Sequence, residues 1–194
     1  MKYYSQFEED KYIIEKLKIS KKGFFVDIGA GTGLNGSNTK AFENLGWDGI
    51  CFEPNEINYQ KCKSHRKRVY KIAVSSKEEK QLFYSNSEVP DLSGLKKKRG
   101  SEIRKSDIQT YRLDHLMKMF KIRKIDLLSV DTEGTEIDVL NSFDIRKVKP
   151  KIIIVEFITT SKINKDIKKY FEQFKDIYKL EKIMGANYLY RLRK

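Results

Sequence analysis

The chain has 194 residues, 39% hydrophobic and 35% charged, with a formal net charge of +13. That length fits a single domain over 1–194 with a full core, and no window approaches about 18 uninterrupted apolar residues, which excludes a membrane-spanning helix. Met1-Lys-Tyr-Tyr-Ser lacks the apolar core of a secretory signal, and Cys51 and Cys62 form no metal spacing, so a reducing, cytoplasmic setting is expected.

Residues 6–17 place Tyr12, Ile13 and Leu17 at helical spacing, giving a helical lead-in over 1–21. Residues 23–28 read as a strand. A helix follows from Ser37 or Asn38 to Leu45 and stops at Gly46, a usual terminator. Strand 48–53, helix Glu56–His65 and strand 68–74 come next. Residues 80–84 and 107–112 read as two added strands, separated by a polar, basic loop over 85–106 that is expected to face an acceptor. Residues 113–120 form a short helix. Strand 125–130 is almost wholly apolar and so buried on both faces. Helix 136–143, strand 151–157 and the amphipathic helix 163–174 lead to a closing hairpin, 177–184 with 187–192. The expected fold is α/β: a mostly parallel, seven-stranded Rossmann-like sheet with a C-terminal antiparallel hairpin and helices on both faces.

In such a sheet, ligands bind outside the carboxyl ends of the strands. The residues at those ends are Gly29–Gly33, Glu53-Pro54-Asn55, Ala73-Val74-Ser75, Asp131-Thr132-Glu133 and Glu156. The first strand runs through Asp27 into glycines at 29, 31 and 33. Twenty residues after the last glycine, the second strand ends in Glu53. Glycines let a ligand approach bare backbone, and a carboxylate at the end of the second strand accepts from ribose hydroxyls. Asp27 and Glu53 would repel a pyrophosphate, but they suit the ammonium and ribose of S-adenosylmethionine. Gly29 and Gly31 are therefore assigned to the methionine portion. Asp27 is assigned to the glycine loop and the ligand ammonium, and Ala73 and Val74 to the same pocket.

Asp131 and Glu156 are the candidate catalytic acids. Asp131 would face the methyl donor and the acceptor, where it could take a proton, orient the acceptor or bind a metal. Capping of the following helix is the alternative reading. The acids at 131, 133 and 136 allow a divalent cation, but their spacing defines no metal site. His65 and His115 are assigned structural roles. Tyr3, Tyr4 and Phe7 either cover the adenosine or pack in the core.

The positive charge is spread along the chain, with Lys far outnumbering Arg, and one cluster at 96–99 is followed by Arg104 and Lys105. It points either to a lysine-rich composition or to an acidic partner such as RNA or a phosphorylated sugar.

These segments together resemble the FkbM-type family of methyltransferases. The matching stretches are Ser5-Gln6 with Glu9-Asp10, residues 23–30, Ser37-Asn38-Thr39, residues 46–50, Phe52-Glu53-Pro54-Asn55, Arg112-Leu113-Asp114, residues 126–136 and Val155-Glu156. The resemblance implies a class I methyltransferase fold with S-adenosylmethionine as cofactor. By position, Asp27, Gly29, Ala30, Gly31, Glu53 and Pro54 would hold that cofactor, with Gln6 and Asn38 lining the same pocket. The implied reaction is O-methylation of a sugar, a glycan or another small hydroxylated acceptor. Two rivals follow: an RNA methyltransferase, from the charge, and a non-catalytic module with the same fold. The sequence leaves the oligomeric state undetermined.

Overall fold

A computed structural model describes residues 1–96, 103–157 and 162–193. The first half of the chain alternates strand and helix: α1 (Glu9–Lys16), β1 (Phe24–Ile28), α2 (Lys40–Asn44), β2 (Asp48–Phe52), α3 (Glu56–His65) and β3 (Val69–Tyr70). Then come β4 (Ala73–Val74), β5 (Lys80–Asn86), β6 (Ile103–Tyr111), α4 (Leu113–Met119), β7 (Leu127–Val130), α5 (Glu136–Leu140) and α6 (Ile145–Val148). The chain closes with β8 (Ile152–Glu156), α7 (Lys162–Glu172), β9 (Tyr178–Met184) and β10 (Asn187–Leu192).

Seven strands form one sheet in the order β3-β2-β1-β7-β8-β10-β9. The pairs from β3 to β8 are parallel, and β10 is antiparallel to both β8 and β9. Alternate side chains of each central strand enter opposite cores. Val26, Ile28, Leu128 and Val130 pack with Leu113, Leu116, Val139, Leu140, Ile167 and Phe171 from α4, α5 and α7. Phe25, Cys51, Leu127 and Ile154 pack on the other face with Ile13, Phe42 and Cys62 from α1, α2 and α3. Every residue of β7 is buried, and each large apolar side chain so placed stabilises the fold by about 1.5–3 kcal/mol. Among the described residues no helix is long and apolar enough to cross a membrane.

Three expectations change. The strand read over 68–74 is two strands: β3 pairs with β2, then the chain turns at Lys71 and Ile72, and β4 joins β6 in a separate three-stranded sheet ordered β4-β6-β5. Apolar pattern reports burial and carries no information about which sheet a strand joins. The loop read over 85–106 is shorter, because β5 and β6 pair from Lys80↔Gln109 out to Asn86↔Ile103. Residues 103–107 are mostly exposed, so that end of the ribbon shows none of the alternation that marks a half-buried strand. Finally, the lead-in helix begins only at Glu9. Glu8 is left-handed at φ 63, and the carboxylates of Glu9 and Asp10 accept from the amides of Phe7, Tyr4 and Ser5.

Candidate active site

The site lies at the switch point of the sheet. The chain leaves β1 toward β2 on one side and returns to β7 on the other, so the loops after β1 and β7 diverge there. They touch at Gly29. Its φ is +77, and a Cβ there would lie 1.6 Å from the carbonyl oxygen of Asp131. No side chain fits, and the bare backbone instead donates to Phe52 O from Gly29 N at 2.9 Å. Gly31 (φ +54) is left-handed, and a Cβ there would lie in ordinary contact with Asp91 Oδ1 at 3.6 Å.

Glu53 joins two of these loops. Its Oε2 accepts from Gly31 N and its Oε1 from Asn55 N, both at 2.8 Å. Asn55 in turn caps α3, its side chain accepting from Asn58 N at 3.1 Å. Glu53 is 5% exposed. Burial pushes its pKa up to about 8. The two amides oppose this shift, and the nearby acids Asp91 and Asp131 add to it.

The segment after β5 folds back over this edge. Asn58 Nδ2 donates to Asp91 Oδ1 at 2.8 Å, Asn55 Nδ2 donates to Ser93 Oγ at 2.9 Å, and Gly94 pairs with Tyr84. Residues of the loop expected to face an acceptor thus run from α3, beside Glu53, across to the loop after β7, where Lys96 Nζ donates to the Gly134 carbonyl. Lys97, Lys98 and Arg99 of the basic cluster lie outside the described residues.

Asp27 is held in a buried ion network. Arg66, whose side chain is 0% exposed, lies 3.5 Å from Asp27 Oδ2 and 3.3 Å from Glu43 Oε2. It also donates to Gly33 O, Ser37 Oγ and Thr39 Oγ1, and its guanidinium stacks 5.0 Å from the Phe25 ring centroid. Thr39 Oγ1 donates to Asp27 Oδ2 at 2.5 Å. Burial raises the pKa of Asp27 even against Arg66. Burial also opposes ionisation of Glu43, but Arg66 and Lys40 outweigh it and hold that carboxyl below its ordinary value. Gly33 makes room for this arrangement, since a Cβ there would meet Cys62 Sγ at 2.6 Å and Arg66 Cγ at 2.7 Å.

Asp131 and Glu156 end adjacent strands, β7 and β8, and hydrogen-bond to each other. Asp131 is pushed well above the ordinary carboxylate range by burial first and then by the charge of Glu156. Glu136 opens α5 and reaches back, its Oε1 accepting from Thr132 N at 3.1 Å and Gly134 N at 2.9 Å. No side chain caps α5, whose N-cap is Thr135, so Glu136 ties down the loop before the helix and the capping of the alternative reading is not made.

One cavity brings these groups together. Gln6, Asp27, Gly29, Ala30, Gly31, Asn38, Glu53, Pro54, Ala73, Val74, Asp131 and Glu156 all line it. Sequence reasoning missed Arg66, Pro90, Asp91 and Ser93. Arg66 sits in a basic run at the end of α3 that looks like any solvated helix terminus. Tyr3 and Tyr4 bond instead to Glu15 and Asn44. Phe7 packs against Gly185, His65 meets the Thr32 carbonyl, and His115 meets Glu78 on the surface.

A comparison with curated proteins gave no match. The model of the methyltransferase FkbM domain matches residues 27–192, from the end of β1 to the end of β10, and the chain belongs to that family.

Proposed function

We propose that this methyltransferase domain binds S-adenosylmethionine in the cavity and methylates a hydroxyl of a sugar, a glycan or another small neutral acceptor. The observation that carries the reading is the charge of the cavity wall. In a chain of net charge +13, the described residues on that wall include Asp27, Glu53, Asp91, Asp131, Glu133 and Glu156, and no lysine or arginine. Each of these carboxyls can ionise to pair with a cation, and none can pair with a phosphate.

The residues present fit that cofactor. Gly29 and Gly31 leave their backbone bare, and a Cβ at Gly29 would collide with the Asp131 carbonyl. Glu53 offers a carboxylate already fixed by two amides and would accept from the ribose hydroxyls. Asp27, Gln6, Asn38, Pro54, Ala73 and Val74 would complete the wall. When bound, S-adenosylmethionine supplies a methyl group on a sulfonium, an electrophile that needs no further activation. The chain then has to hold the acceptor oxygen in line, which is worth about 7–11 kcal/mol at best. It must also receive the hydroxyl proton. Asp131, hydrogen-bonded to Glu156 at the cavity wall, would orient the acceptor hydroxyl or take that proton. A reducing, cytoplasmic setting belongs to the same proposal: Cys51 and Cys62 are buried free thiols that hydrogen-bond to each other.

The test is incubation with labelled S-adenosylmethionine and neutral sugars, nucleotide sugars, glycans and RNA, followed by mass analysis. The expected product is a neutral sugar or glycan bearing one more methyl. Salt-sensitive methylation of RNA alone would overturn the acceptor class. Cofactor binding with no transfer to any acceptor would favour the non-catalytic module.

Glu53 supplies a separate prediction. Ribose hydroxyls donate to the ionised carboxylate, and burial keeps Glu53 protonated until about pH 8. Affinity for 5′-methylthioadenosine, which has the ribose but no ammonium, should therefore rise between pH 6.5 and 8.5. Below the pKa the gain approaches about tenfold per pH unit, or 1.4 kcal/mol. Calorimetry of Glu53→Gln should show weaker binding and a flat profile. A flat profile in the unaltered protein would sink the ribose role.

A further inference from the structure

We propose that Asp131, Glu136 and Glu156 form a binding site for one hard divalent cation beside the cavity, whose wall includes Asp131 and Glu156. One carboxylate oxygen from each lies within 4.8 Å of the other two. The set differs from the acids that neighbour Asp131 in sequence: Glu156 arrives from β8, and Glu133 is not a member.

The second observation is Glu136 itself. It is 1% exposed, and its Oε1 is occupied by loop amides. Its Oε2 is buried and has no hydrogen-bond partner, as is Oδ1 of Asp131. A buried carboxylate oxygen left without a donor costs about 1–3 kcal/mol or more, so the fold carries a penalty here that a cation would remove. Among the described residues no lysine or arginine lines the cavity wall, and the nearby Lys96 ammonium donates to the Gly134 carbonyl. An all-oxygen donor set selects hard ions.

Separations within 4.8 Å admit an ion of either magnesium or calcium size, which would take the place of the proton that Asp131 and Glu156 share. A cation here would orient an acceptor oxygen and lower its pKa, so the acids would act by holding the ion. Ion binding needs neither cofactor nor acceptor and is independent of the methyl-transfer reading.

The experiment uses the full chain, stripped with chelator and titrated with Mn²⁺ alone, free Mn²⁺ being read by electron paramagnetic resonance. The expected result is one saturable site per chain, displaced by Ca²⁺ or Mg²⁺. Glu156→Gln and Glu136→Gln should each weaken it by at least the about 10-fold that even an outer partner of a metal ligand carries. Glu133→Gln should leave it unchanged. If Glu136→Gln fails to fold, Glu156→Gln and Asp131→Asn carry the test. Absence of a saturable site, or equal affinity in the folded variants, overturns the proposal. Mn²⁺ binding without S-adenosylmethionine binding would strike the cofactor reading alone, and the reverse result would strike this one.

Discussion

Arg66→Met is expected to destabilise the protein by about 3–5 kcal/mol, the usual loss when one partner of a buried ion pair is removed. The methionine would fill much of the space, but Asp27 and Glu43 would keep their burial and lose the guanidinium they share. The Gly33 carbonyl and Ser37 would also lose their donor, so the glycine loop should loosen and cofactor affinity should fall. Urea denaturation measures the loss directly. Glu43 titrates below its ordinary value in the fold, so the stability it contributes is present above its unfolded pKa and disappears as pH falls through the folded one. The gap between the variant and the unaltered protein should therefore narrow in acid. A loss under about 1 kcal/mol at neutral pH, the range of an exposed pair, would mean that the network does not hold the loop.

Asp131→Asn is expected to lower turnover by about 10²–10⁴-fold, the range for loss of a positioned acid or base, while cofactor affinity changes little. The contact with Gly29 is made by the Asp131 backbone carbonyl, which the substitution leaves in place. The side chain itself faces Glu156 in an environment that disfavours its charge. With chelator present, the variant should therefore unfold at the same temperature as the unaltered protein, or higher. Loss of activity together with retained or improved stability is the mark of a functional acid, since active-site groups are commonly kept at a cost in stability. Single-turnover assays and a thermal melt decide it. Unchanged turnover would remove Asp131 from the mechanism, and a marked drop in melting temperature would make it a structural residue.

What could be read in advance was what depends on short-range pattern. Gly29, Gly31 and Glu53 stand at strand ends whose apolar runs are unmistakable, and the spacing alone brings Glu53 to the glycine loop, where Gly31 N bonds it. Asp131 and Glu156 were legible for the same reason, since each terminates a buried strand. Arg66 was not, because its importance comes from partners 39 and 23 positions earlier in the chain, Asp27 and Glu43. Glu136 read as the start of a helix. Only the fold shows that one of its oxygens serves the loop and the other has no donor. The splitting of 68–74 between two sheets was hidden because β3 and β4 are two residues each, too short for periodicity to register.

The N-terminal segment sets a limit on how far the chain can be trimmed. Residues 1–26 precede the span matched by the family. Yet Ser5 pairs with Gly36 and Gln6 lines the cavity. Buried Glu9 accepts from Phe7 N and from Asn187 at the far end of the sequence, and residues 24–26 are the opening of the central strand. A shortened protein designed on domain boundaries alone would lose one side of its binding chamber and unzip the middle of its sheet. Truncations meant for expression or crystallisation should therefore retain everything from the first tyrosines onward.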